Sequence, residues 1–125
     1  MPSWATDWSD MRRGEVWWVD LDPVRAGEAN KVRPCVVVSN DANNVMARRL
    51  GRGVVTVVPV TSNAERVFAF QVLVPAGAVG LPRDSKIQAE QIRAVSVDRL
   101  TERIGTLTAE LRRELDAALR VQLAL

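Results

Sequence analysis

The sequence predicts a small, mainly β domain: a barrel of short strands covered by one C-terminal amphipathic helix. Runs rich in Val, Ile, Trp and Phe, each closed by Asp-Pro, Gly or Thr-Ser-Asn, recur at short spacing from Glu15 to Val97, which favours a barrel over an alternating βαβ sheet. From Thr108 the period changes. Leu111, Leu115, Leu119 and Leu123 recur every four residues with Ala118 beside them, a single apolar stripe on a helix.

Residues 1–10 read as an extension. Trp4 and Trp8 lie there among small and acidic residues with no sustained period, and a domain-like start follows at Met11-Arg12-Arg13-Gly14, so the folded unit is expected over 11–125. Glu15 to Leu21 is the first strand, rich in β-formers. Asp22-Pro23 ends it, and the polar stretch from Val24 to Val32 is a loop. Pro34 to Ser39 is a second strand, apolar without alternation and so buried on both faces. Asn40 to Arg52 is polar and basic, with asparagine and glycine at its ends, and reads as a second long loop. Val54 to Val60 is a third strand, closed by the turn residues Thr61-Ser62-Asn63.

Val67 to Val74 reads as a fourth strand, with Phe68, Phe70, Val72 and Val74 on one face. Pro75 to Pro82 is a loop. Lys86 to Ile92 is a fifth strand, which Ala94 to Val97 continues past a bend. Thr108 is the expected N-cap of the helix, whose stripe would pack across the open side of the barrel.

The length, 125 residues, suits one domain, and 47% apolar residues suffice for a core. The one cysteine, Cys35, sits in an apolar run, so an intrachain disulfide is excluded and a small buried hydrophobe is expected. With no histidine in the chain, Cys35 lacks the usual activating base and the common zinc ligand sets are missing. Neither a membrane-length apolar stretch nor the order of a signal peptide is present, so a cytoplasmic setting is expected. Net charge is only +2, but lysine occurs only at 31 and 86 and the remaining cations are arginine, whose planar fork suits phosphate. Arg25, Lys31 and Arg33 fall in one expected loop, and Arg48, Arg49 and Arg52 in the other.

A chain without histidine can still cleave RNA with no metal bound. The 2′-OH supplies the nucleophile, and the protein need only position it, move protons and stabilise charge on phosphorus. DNA, lacking the 2′-OH, would be ignored. Arg33 precedes Pro34, which biases it to an extended backbone at the start of the second strand. Thr61 ends the third strand, and Glu28 lies five residues before Arg33. If the second and third strands are neighbours, Arg33 and Thr61 meet at one mouth. If not, Arg33 is a surface arginine and Thr61 part of a turn.

The order of motifs resembles the MazF/PemK family of toxin endoribonucleases. The matching stretches are Arg13-Gly14-Glu15-Val16-Trp17, then Asp22-Pro23, Glu28, and Val32-Arg33-Pro34-Cys35 through Asp41. Val58-Pro59-Val60-Thr61-Ser62-Asn63, Leu81-Pro82-Arg83-Asp84-Ser85 and Glu90-Gln91-Ile92-Arg93 follow, with the final helix. The resemblance covers about residues 12–125. It implies an SH3-like barrel of the CcdB/MazF type, a twofold homodimer and sequence-specific cleavage of single-stranded RNA without metal or cofactor. The 2′-OH would attack, leaving a 2′,3′-cyclic phosphate and a 5′-OH. The expected partner is a MazE-like antitoxin whose acidic, flexible tail covers the RNA groove.

By the same resemblance, Arg33 matches the catalytic arginine that stabilises the phosphorane, and Thr61 the threonine that hydrogen-bonds the scissile phosphate. Glu28 matches a loop glutamate near the reaction. Glu90 and Gln91 match positions that touch RNA bases, and Lys31, Ser62 and Asn63 are further groove contacts. The chain departs from the family at Ala26-Gly27-Glu28, where many relatives carry Gly-Ser-Glu, so serine assistance from that loop is lost. Two other functions share such a fold. A non-enzymatic CcdB-like toxin that binds gyrase usually ends in Trp-Gly-Ile, whereas this chain ends in Leu123-Ala124-Leu125. A passive nucleic-acid-binding barrel would expose stacking aromatics, whereas Trp17, Trp18, Phe68 and Phe70 all fall in expected strands, where core or dimer packing is the expected role.

Overall fold

A computed structural model describes residues 10–21 and 32–125. Expectations placed on residues 1–9, Glu28 and Lys31 lie outside the described residues. The element order is β1 (Glu15–Asp20), β2 (Val32–Val37), α1 (Asp41–Leu50), β3 (Val54–Thr61), β4 (Gln71–Val74), β5 (Ser85–Gln88), β6 (Arg93–Ser96), β7 (Leu100–Thr106) and α2 (Ala109–Leu123). The mainly β class with a C-terminal helix is as the sequence predicts.

All the described strand pairings are antiparallel. The hydrogen-bonded path runs β4-β5-β3-β2-β1-β7, with β6 also on β3. This path has two ends, so the barrel expectation needs correction: the sheet curls but does not close among the described residues. The edge strands β6 and β7 are joined by a 3-10 turn at Val97–Arg99. Val97 of this turn and Leu100 at the start of β7 are buried in the second of two cores.

Strand alternation gives the sheet two buried faces. Val16, Val36, Val58 and Val60 join Ile87 and the α2 stripe of Leu111, Leu115 and Leu119 in one core. Trp17, Val19, Cys35, Val37, Val55 and Val57 form the other with Val95, Val97 and Leu100. The unbroken apolar run of β2 is thereby explained, since its side chains go alternately to two interiors. Full burial of each such Val or Leu contributes about 1.5–3 kcal/mol. The tandem tryptophans are split by the same rule: Trp17 is 4% exposed and Trp18 37% exposed.

Other boundaries differ from the sequence reading. Asn40 to Arg52 is not a loop but carries α1, so Arg48 and Arg49 are helical. Asn40 caps the helix by accepting from the Asn43 N–H at 2.9 Å, and Gly51 ends it in the left-handed region at φ 67°, where glycine avoids the Cβ penalty. The fully buried Asn44 donates to the Ser39 carbonyl at 2.8 Å. The helix is thus fastened by polar contacts more than by an apolar stripe. The fourth strand begins at Gln71, and Phe68 and Phe70 stack in the preceding loop with centroids 5.4 Å apart. The fifth ends at Gln88, after which Ala89–Gln91 form a 3-10 turn. β7 has no counterpart in the sequence reading. It is a polar, largely exposed edge strand, so it shows no apolar alternation.

Candidate active site

The β2–β3 ladder runs Val37↔Val57, Val36↔Val58 and Cys35↔Pro59, and no further. Pro34 and Pro59 at its end lack the N–H that a ladder needs. Beyond this point β2 stays on β1, with Pro34 opposite Trp18 and Arg33 opposite Val19. β3 instead continues on β5, with Val60 opposite Ile87 and Thr61 opposite Lys86. The two strands part as a fork. Arg33 and Thr61 each lie two residues beyond the last rung, Cys35↔Pro59, one on either side of the opening.

The fork opens into a cleft of about 330 Å³. Arg33 and Pro34 line it from β2, Val60, Thr61 and Ser62 from the end of β3, and Trp18 from β1. Leu81, Pro82, Arg83 and Ser85 form the opposing wall. That wall is held by short bonds. The Gly77 N–H donates to the Leu81 carbonyl at 2.7 Å, the Ala76 N–H to Asp84 Oδ1 at 2.8 Å, and Ser85 Oγ to the Arg83 carbonyl at 3.0 Å. Thr61 Oγ1 accepts from the Asn63 N–H at 3.3 Å, which fixes the turn and leaves the hydroxyl proton available to a ligand.

Cleft charge is one-signed among the described residues. Arg33 and Arg83 are both exposed, and no carboxylate lines the cleft with them. Two guanidiniums, the hydroxyls of Thr61, Ser62 and Ser85, and an apolar floor of Trp18, Pro34 and Val60 suit an anion carrying a flat apolar group. Cys35 lies beside Arg33 but takes no part. Burial pushes its thiol up to about 12 despite the nearby Arg93 and Arg33. Native protein treated with iodoacetamide at neutral pH should therefore keep this thiol, and unfolded protein should lose it. Intact-mass analysis checks this, and native alkylation at the unfolded rate would contradict the burial.

The remaining expected residues are dispersed. Asn63 is exposed beside Thr61 but does not line the cleft. Glu90 and Gln91 sit in the 3-10 turn after β5, away from the cleft lining. Glu90 Oε2 accepts from Gln71 Nε2 at 2.6 Å, and Gln71 Oε1 accepts from the Phe68 N–H at 3.1 Å. Glu90 Oε1 is buried with no described partner. Trp18, Arg83 and Ser85 were not among the expected site residues. For Trp18 a signal existed: adjacent strand residues face opposite sides, so both tryptophans cannot share the interior reached by Trp17. Arg83 lies in a loop, whose path no periodicity reveals, and Ser85 is the first residue of β5, one before the Lys86 at which the sequence reading starts that strand.

The cleft can be set against known proteins. The family model of PemK-like, MazF-like toxins of type II toxin–antitoxin systems matches residues 12–123. The endoribonuclease MazF9 of Mycobacterium tuberculosis is 57% identical over 92% of this chain and 98% of its own. The endoribonuclease EndoA of Bacillus subtilis is 34% identical over 92% and 96%. A crystal structure of MazE–MazF from Deinococcus radiodurans superposes with TM-score 0.73 at 25% identity, covering 92% of this chain and 96% of the other.

Proposed function

Since the chain belongs to the PemK-like, MazF-like toxins of type II toxin–antitoxin systems, we propose that it is an endoribonuclease that cuts single-stranded RNA at the fork between β2 and β3. The supporting observation is that Arg33 and Thr61 line one cationic cleft. In this reading the scissile phosphate sits between them. The 2′-oxygen gives up its proton and attacks phosphorus, the bond to the 5′-oxygen breaks, and the 5′-oxygen takes a proton from solvent water, giving a 2′,3′-cyclic phosphate and a 5′-OH. The Arg33 guanidinium neutralises the phosphorane, where preorganised charge matters most. Thr61 donates its hydroxyl to a non-bridging oxygen. Glu28, outside the described residues, is the candidate acceptor of the 2′-OH proton, because no carboxylate lines the cleft among the described ones.

Since RNA brings its own nucleophile, this route requires no metal. Glu90, Gln91, Lys31, Ser62 and Asn63 are proposed as RNA contacts that set sequence preference. The working unit is proposed to be a cytoplasmic homodimer built from residues 11–125, silenced by a MazE-like antitoxin. Among the described residues no helix is long and apolar enough to cross a membrane.

The test is incubation with a mixed-sequence RNA pool in excess EDTA, followed by mapping of the ends. Cuts at a short recurrent sequence with cyclic phosphate and 5′-OH termini are expected, with matched DNA left whole. RNA bound but intact would favour a passive binding protein, and 5′-phosphate products would exclude 2′-OH attack.

A further inference from the structure

Trp18 is out of place for a strand tryptophan. Its neighbours Trp17 and Val19 are buried, yet Trp18 keeps 37% of its surface exposed and lines the same cleft as Arg33 and Thr61. Its cross-strand partners are Pro34 on β2 and the exposed Glu102 on β7, so the indole borders the apolar floor of the cleft on one side and a carboxylate on the other. On the opposing wall stands Arg83, exposed, with no ion pair to any described carboxylate and its backbone fixed by the Ser85 and Asp84 contacts beside it. An exposed indole is a stacking face. An unpaired guanidinium on a fixed wall is a phosphate fork. Together they match the two chemistries of a nucleotide, a flat base and an anionic phosphate.

Building on the nuclease reading, we propose that Trp18 and Arg83 form a nucleotide-binding subsite beside the scissile position. One base of the RNA stacks on the Trp18 indole, and Arg83 binds a phosphate next to the one held by Arg33. Neither residue touches the reacting atoms. Their work is to hold the strand in register so that the correct 2′-OH faces Arg33 and Thr61. Stacking on a single aromatic tolerates every base, so this subsite contributes affinity and register, not sequence choice.

The probe is a fluorescently labelled, mixed-sequence 2′-O-methyl RNA 12-mer, which cannot undergo 2′-OH attack and so reports binding alone. Trp18→Ala is expected to raise Kd roughly 5- to 150-fold, as for loss of one stacked base, while Trp18→Phe retains most of the affinity. Arg83→Ala is expected to weaken binding and to reduce the slope of log K against log salt by about 0.7, the share of one neutralised phosphate on a single strand. Arg83→Lys should restore the slope. The Trp18 emission, isolated by subtracting the Trp18→Phe spectrum, should be quenched on binding. Either alanine variant binding within about twofold of the parent, with native circular dichroism, overturns the subsite. The subsite and the nuclease reading fail separately. Normal cleavage by the parent with unaffected binding in the variants removes only the subsite. Weakened binding in both variants, with RNA left intact by the parent, removes only the nuclease.

Discussion

Arg33→Ala is expected to lower the single-turnover rate of RNA cleavage by at least about a hundredfold, the usual cost of one transition-state donor. The argument rests on where charge develops. Attack by the 2′-oxygen adds negative charge to a phosphorane, and Arg33 is the β2 cation that lines the cleft together with Thr61. The side chain is exposed and its backbone partner is Val19, so the substitution removes no core contact and should change stability by less than about 0.5 kcal/mol. Arg33→Lys restores only part of the rate, since an ammonium lacks the planar fork. The check is cleavage of a mapped substrate alongside circular dichroism and a urea melt. A folded, fully active Arg33→Ala protein would refute the assignment.

Gly105→Ala should destabilise the fold by at least about 3 kcal/mol, at the upper end of the range for overpacking. A Cβ at Gly105 would stand 2.4 Å from the Val79 carbonyl oxygen and 3.1 Å from its carbon. Both sides of that contact are anchored. Gly105 lies in β7 opposite Val16, and Val79 is buried in the core beneath α2. Either the edge strand or the 75–84 loop has to move. Because that loop carries Leu81 and Arg83, RNA affinity should fall together with stability. The melting temperature is expected to drop by roughly 10 °C or more. Gly77→Ala is the matched control. It has positive φ but nothing within 4 Å of the added carbon, so it should lose only the 1–2 kcal/mol or so of left-handed backbone strain. Equal melting temperatures for Gly105→Ala and the parent would show that β7 and the loop have room to separate.

Elements with strong periodicity were legible from the sequence. β1, β2, β3 and α2 stand close to their expected positions because apolar residues dominate them and turn residues bound them. α1 was hidden because its anchor is the amide of Asn44, not a stripe, although its cap residues Asn40 and Gly51 stood in plain view. β7 was hidden because an exposed edge strand has no side to keep dry. The site was half legible. Arg33 and Thr61 could be placed at strand ends, but their juxtaposition needed the β2–β3 register, which single-strand patterns do not contain. Arg83 reaches the cleft through the path of a loop, set by close approaches such as that between Gly105 and Val79.

The fork has a bearing on how this protein can be silenced. Its two prongs are the outer ends of β2 and β3, and both strands are packed between hydrophobic layers on either side. The layers begin at Cys35 and Val60, so the base of the fork is set in close-packed interiors that resist deformation. An inhibitor therefore gains little by bending the molecule. One seated in the cleft, where the polyanion would lie, is expected to compete with it, so that enough substrate should push it out.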